Sequence, residues 1–371
     1  MSAADASERN PKTASRAGAG GDGVAASLDA PSADQVKRGL SAGNAGRRIG
    51  FLLIPTFSML PFVSAVEPLR LANRLSGRDL YGWRFFSRDG EPVRAGNGML
   101  QIPHGSIDDV PAFPVMIVCG PHDPHLYRDR KVFAWLRSLA RHGTEMGALC
   151  TGSFVLARAG LMHGRRCTIH WENLLGFTEE FPDIEVSAEL YEIDRNRLTC
   201  SGGTAAIDMM LNVIAREHGH DLAAQVSEQL IVERIRRPYD PQRMSLRQRL
   251  GASHPKLLAA VALMESNVEE PLAPGALAAE VGLSKRQLER LFRHYLHATP
   301  AAYYMDVRLK FARRLLEQTS LPVSEVALAC GFSSPAHFSL RYRDRFGLSP
   351  RQDRRAIPLG ADARPDGTTR T

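Results

Sequence analysis

Two groups of residues in this sequence could do chemistry. Cys150 closes a short apolar run, Met146 to Cys150, and is followed at once by Thr151-Gly152 and the helical pattern Phe154 to Ala159. The order strand, tight turn, helix places its thiol at the turn, and a helix N-terminus beside a thiol favours the thiolate. The second group is basic. Leu288, Leu291, Phe292 and Tyr295 recur at i, i+3, i+4 and i+7, one face of a helix, while Arg286, Arg290 and Arg293 occupy the complementary face. Arginine and lysine donate to guanine edges, and serine, glutamine and a helix N-terminus can contact phosphate or base. Taken alone, such a set of arginines is more often only a solvated basic face.

The elements around each group say which reading applies. Ala276 to Val281 reads as a short helix ending at Gly282, with Ser284 as N-cap of the next: helix, tight turn, helix. About 50 residues later the arrangement returns. Val323, Val326, Ala327 and Cys330 mark a short helix, Gly331-Phe332-Ser333 a turn, and Phe338, Tyr342 and Phe346 the buried stripe of a second long helix. Gly282-Leu283-Ser284 corresponds to Gly331-Phe332-Ser333, and Thr299-Pro300 to Ser349-Pro350, so the chain holds two copies of one unit. Ala301 to Gln318 between them is one helical pattern of about 18 residues, about 27 Å long. It would hold two recognition helices rigidly apart, near the recurrence of about 34 Å between successive major-groove faces.

Upstream, from residue 47 to 237, short apolar runs alternate with helical patterns, the mark of βαβ units and a mostly parallel sheet sandwiched by helices. Ile49 to Ile54, Val115 to Cys119 and Met146 to Cys150 are its expected strands, and Ala205 to Glu217 its last clear helix, followed by the stretch Leu222 to Ile235. Pro238-Tyr239-Asp240-Pro241 opens a linker, 238–253, before an all-α domain at 254–355. Residues 1–46 and 356–371, poor in large apolar side chains, are expected to be disordered tails.

Charge follows this division. Of 47 Lys+Arg and 40 Asp+Glu, Ser245 to Arg355 holds 17 and 10, which leaves 30 of each elsewhere. The whole net charge of +7 therefore sits in the C-terminal third, a local attraction for polyanions. Five scattered cysteines, an odd number with no CxxC pair, point to a reduced cytoplasm and away from a disulfide framework. Arg47-Arg48 before Ile49 to Ile54 imitates a twin-arginine export signal, but Pro55 and Pro61 interrupt the run and a strand accounts for it better. No segment approaches the roughly 20 apolar residues that span a bilayer.

The C-terminal motifs, Leu277-Ala278-Ala279-Glu280-Val281-Gly282-Leu283-Ser284, then Arg286, Leu288, Arg290 and Phe292, then Gly331-Phe332 with Phe338 and Phe346, resemble the AraC/XylS family of regulators over residues 254–355. The expected contacts to double-stranded DNA are Ser284, Lys285, Arg286, Gln287, Arg290 and Arg293 in the first unit and Ser334, His337 and Arg343 in the second. The run Gly147 to Ala157, with Ala159-Gly160-Leu161 and Thr168-Ile169-His170, resembles the PfpI-type class I amidotransferase-like fold, a flavodoxin-like sheet. There the cysteine sits on a strained turn and a histidine can pair with it, and Cys150 and His170 occupy the matching positions. Three departures argue against catalysis: Thr151 follows the cysteine where peptidase members have histidine, Pro61 stands where many enzymes place a carboxylate, and a double helix-turn-helix gives an enzyme no evident advantage.

The fusion of the two resembles the GlxA-type subgroup, whose first helix Pro68-Leu69-Arg70-Leu71-Ala72-Asn73 fits. The resemblance implies a regulator, expected to be an activator of a catabolic operon, sensing a small-molecule effector and working with RNA polymerase. It implies a dimer through the α/β domain, and no cofactor, metal or membrane. Regulators of glycine betaine, choline, carnitine and arginine catabolism belong to the nearest subgroup. The effector site is expected at Cys150, Thr151 and His170, where a helix N-terminus favours a carboxylate. Trp171, Trp83 and Phe57 are expected to cage a quaternary ammonium, or Glu172 to pair with a cationic amino acid. Core packing is the alternative for the tryptophans, and an ordinary hydrogen-bonding role for His170. Two rival functions stand beside this: a thiol hydrolase or lyase with a DNA tether, and a constitutive DNA-binding protein with a vestigial pocket.

Overall fold

A computed structural model describes residues 46–110 and 113–356. The two tails expected from composition lie, apart from their inner ends, outside the described residues. The α/β part is built on strands β1 (Arg47–Leu53), β2 (Tyr81–Ser87), β3 (Gly105–Ser106), β4 (Val115–Cys119), β5 (Glu145–Leu149), β6 (Tyr191–Asp194) and β7 (Arg197–Cys200). They form one sheet in the spatial order β6-β7-β5-β4-β1-β2-β3, parallel throughout except for the antiparallel edge pair β6 and β7.

Buried parallel strands read as continuous apolar runs because both faces are covered, and β1 shows why. Ile49, Phe51 and Leu53 point into one core with α1 (Met59–Ser76), while Leu52 and Ile54 point into the other with α2 (Arg130–Arg141) and α3 (Gly152–Arg158). The second face is completed by α4 (Leu174–Glu180), the first by α5 (Ala205–His218) and α6 (His220–Gln229). This is the expected flavodoxin-like sandwich.

The chain then turns all-helical: α7 (Leu246–Leu250), α8 (Pro255–Ser266), α9 (Pro274–Glu280), α10 (Lys285–Leu296), α11 (Pro300–Gln318), α12 (Val323–Ala329), α13 (Pro335–Phe346) and α14 (Pro350–Ala356). Two separate cores hold it. Leu257, Val261, Leu277, Leu288, Phe292 and Tyr304 form the first, and Leu309, Leu315, Val326, Phe332, Phe338 and Tyr342 the second. The long helix α11 serves both, with Tyr303 and Tyr304 near its start in the first core and its residues from Met305 onward in the second.

Three expectations need correction. Leu246, Leu250 and Ala252, assigned to the linker, pack into the first helical core, because α7 exposes an apolar edge that α8 can cover. Tyr295 is 37% exposed rather than buried; it lies near the end of α10, where its ring meets those of His254 and His294. The register of the repeat also shifts. Ser284 caps α10, but its counterpart capping α13 is Ser334, not Ser333; the second turn carries one extra residue.

Candidate functional site

Parallel α/β sheets bind ligands beyond the carboxyl ends of their strands, and here a cavity of about 420 Å³ opens there. Ser58 follows β1, Pro121 to Pro124 follow β4, and Cys150 and Thr151 follow β5; His170, Glu172 and Asn173 complete that side. Gly120 and Gly152 let the two turns touch, since a Cβ on Gly120 would fall 2.1 Å from the Gly152 nitrogen. Cys150 has a φ of 55°, a left-handed conformation uncommon for a side-chain-bearing residue. The strained turn expected from the sequence is present.

Burial works against the thiolate that the helix N-terminus favours. Burial pushes the Cys150 thiol up to about 11, against hydrogen bonds from the Thr151 backbone and the Ser58 side chain that favour the thiolate. Burial also holds His170 below its ordinary value, opposed by Glu172, whose carboxylate lies 3.9 Å from Nδ1. Among the described residues no hydrogen bond or ion pair joins the cysteine to the histidine. Burial thus disfavours both the thiolate and the imidazolium, the charged pair on which nucleophilic catalysis by a cysteine and a histidine relies. The residue that meets the thiol is Ser58, which immediately precedes α1 as its N-cap; Pro61 is buried in α1. A measurable consequence is that alkylation of Cys150 by iodoacetamide climbs with pH toward 11 without a plateau near neutrality. At pH 7 its rate should lie on the order of 100-fold below that of an unperturbed thiol. A plateau near pH 7 would show a thiolate instead.

Cys150, Thr151, His170 and Glu172 come together as the sequence suggests, but the aromatic cage does not. Phe57 is fully buried and packs edge-on against Phe62. Trp83, on β2, packs against the core cluster on the α1 side. Trp171 turns away from the cavity and lies beneath the Arg243 guanidinium at 4.5 Å. Adjacency in sequence misled here, because Trp171 and Glu172 point to different sides of one loop.

Sequence reasoning missed His122, Asp123, His125, Glu317 and Gln318. The first three follow β4 and were accessible to the strand-end rule. The last two come from the end of α11, and nothing local signals them. Gln318 Nε2 donates to the Glu172 carbonyl at 2.8 Å, and a Cβ on Gly176 would meet Gln318 Cβ at 2.8 Å. The helix that joins the two repeated units thus ends as a wall of this cavity.

Each unit has three helices, α8-α9-α10 and α11-α12-α13. A cation from the first helix holds the turn in both: Lys256 Nζ donates to the Gly282 carbonyl at 2.7 Å, and Arg308 to the Cys330 and Gly331 carbonyls at 2.8 and 2.7 Å. A Cβ on Gly331 would lie 2.5 Å from Pro271, so only glycine fits there. The helices that follow the turns present their predicted residues outward. Lys285, Arg286, Gln287, Arg290 and Arg293 are exposed on α10, and His337 and Arg343 on α13. Ser284 and Gln287 form a capping box, and Ser334 accepts from the His337 backbone N–H, so these hydroxyls first serve their helices. Arg341, which the sequence reading passed over, donates to His337 at 3.3 Å one turn away. With Ser284 and Ser334 as matching caps, Leu340 stands in the place of Arg290 and is 57% exposed.

Two family models match the chain, a helix-turn-helix domain over residues 277–356 and the DJ-1/PfpI family over residues 48–216. The HTH-type transcriptional regulator GbdR of Pseudomonas aeruginosa is 50% identical over 312 residues, 84% of this chain and 85% of its own. CdhR of the same species, another HTH-type transcriptional regulator, is 48% identical over 84% of this chain and 93% of its own. GlxA of Rhizobium meliloti, of the same description, is 38% identical over 83% and 96%. The chain belongs to the AraC/XylS family. Within it, the joined DJ-1/PfpI and helix-turn-helix parts make this a GlxA-type regulator. These relatives match along both parts and are named as transcriptional regulators, and this AraC/XylS member is likewise a DNA-binding transcription regulator. Among the described residues no helix is long and apolar enough to cross a membrane.

Proposed function

We propose that this regulator is a cytoplasmic activator of a catabolic operon, and that a small metabolite bound in the Cys150 cavity sets how its two helix-turn-helix units meet the promoter. Residues 47–237 act as the sensing domain and 254–355 as the DNA-binding domain; RNA polymerase is the partner on DNA, and a second copy pairs through the α/β part. One observation carries the reading. Glu317 and Gln318 at the end of α11 form part of the cavity wall, so an occupant touches the helix that spaces the recognition helices. A ligand shifts an equilibrium only through differential contacts in its two states, and this wall supplies them.

The lining also bears on the effector. Asp123, Glu172 and Glu317 place three carboxylates around the cavity, which favours a cationic group, while the turn into α3 suits a carboxylate at the other end. A zwitterion of the amino acid or betaine type meets both demands. Without an aromatic cage, a cation that pairs with carboxylates is favoured over one that needs cation–π contact.

The test is thermal unfolding with glycine betaine, carnitine, choline, arginine and related amino acids. At 100 times its dissociation constant a true effector stabilises by about 2.7 kcal/mol, and Glu172→Gln should remove most of that shift. If no compound shifts the transition while promoter DNA is still bound, the constitutive alternative replaces this reading. Turnover of any compound that disappears in Cys150→Ser would replace it with the hydrolase.

A further inference from the structure

A second cavity, about 840 Å³, lies between the α/β part, the linker and α11. It shares only Glu317 with the Cys150 cavity. Six cations line it, and four have partners: Arg249 with Glu265, Lys310 and Arg345 with Asp306, and Arg313 with Glu317. Arg243 and Arg314 differ. Among the described residues neither makes a hydrogen bond or ion pair; Arg243 lies over the Trp171 ring and Arg314 leans toward the Phe311 ring at 5.8 Å. Arg314 is half-buried, and burial holds it below its ordinary value while Glu172 and the cavity-lining Glu265 and Glu317 oppose this from a distance.

A half-buried guanidinium with no acceptor is costly, because desolvation is not repaid by hydrogen bonds. Arg314 on α11 is such a group, and the exposed Arg243 of the linker lines the same cavity with its donors equally unengaged; each guanidinium is a fork-shaped donor suited to planar or tetrahedral anions. We infer that this interdomain cavity binds a small multivalent anion, a di- or tricarboxylate or a phosphate compound, between Arg243 and Arg314. Trp171 and Tyr303 flank the site, so an organic anion gains ring contact as well. The bound anion ties the linker to α11 and fixes the spacing of the two units. This assignment stands apart from the Cys150 reading, since it uses other side chains and the opposite charge.

The chain has three tryptophans, Trp83, Trp135 and Trp171, and only Trp171 lines this cavity. Citrate and inorganic pyrophosphate titrated into the full-length protein, without DNA, should give a saturable fluorescence change that sodium chloride at equal ionic strength does not reproduce. Trp171→Phe should abolish the signal. Arg243→Gln, at an exposed position, and Arg314→Gln should each weaken binding at least tenfold while circular dichroism stays unchanged. A change that follows ionic strength alone, an affinity unmoved by Arg243→Gln, or a response only to duplex DNA would each overturn the assignment, the last by showing that the fork serves a backbone phosphate.

Discussion

Replacing Arg286 and Arg290 together by alanine should weaken operator binding by about 2–6 kcal/mol, from two base contacts worth about 1–3 kcal/mol each. Both side chains are exposed on α10, one turn apart on one face, and neither has a resolved ion-pair partner among the described residues. They belong to the outer face, opposite the buried Leu288 and Phe292, so removing them should leave folding intact. Fluorescence anisotropy at fixed salt, on a duplex selected by the wild-type protein, measures the loss; circular dichroism checks the fold. The loss should concentrate at a few base pairs of the first half-site. A uniform loss over all sequences, with a smaller salt slope, would mean that the arginines touch phosphates only. Unchanged affinity would remove α10 from the interface and with it the reading of the repeat as two DNA-binding units.

How much of this was legible in the sequence depends on the range of the signal. The two helix-turn-helix units were readable because their determinants are local: an apolar stripe at helical spacing, a glycine in the turn, a serine cap. Even the repeat could be read, although the extra residue in the second turn moved the cap from Ser333 to Ser334. Strands β1, β4 and β5 were readable for the same reason, as apolar runs short enough for a sheet. What failed was the inference from neighbours in sequence to neighbours in space. Trp171 follows His170 directly yet serves a different cavity, and Phe57 precedes Ser58 yet is sealed in the core. Glu317 and Gln318 reach the Cys150 cavity across about 150 residues of chain, a contact that no periodicity encodes. The thiol's protonation was likewise unreadable. The helix N-terminus favours the thiolate as expected, but burial outweighs it, and burial is a property of the packed fold.

The separateness of the two helical cores leads to the second large effect. Phe292 is fully buried in the first core, against Leu288 of its own helix and Tyr303 of α11, whose ring it meets edge-on at 5.6 Å. Phe292→Ala removes a whole ring from a packed site and should cost about 3–5 kcal/mol, enough to unfold a three-helix unit of marginal stability. The second core shares no buried residue with the first, although Val268 from the segment after α8 packs into it, and its α12-α13 turn is held by Arg308 from the middle of α11. Damage in the first unit should therefore spare the second. Footprinting of the variant should show protection of one half-site, with the other lost, and the α/β part should melt as in the wild type. Loss of both half-sites together would show that α11, a helix of 19 residues and about 28 Å, transmits the collapse from one core to the other. In that case the two units would behave as a single folding unit, and a signal reaching α11 from the Cys150 cavity would act on both recognition helices at once.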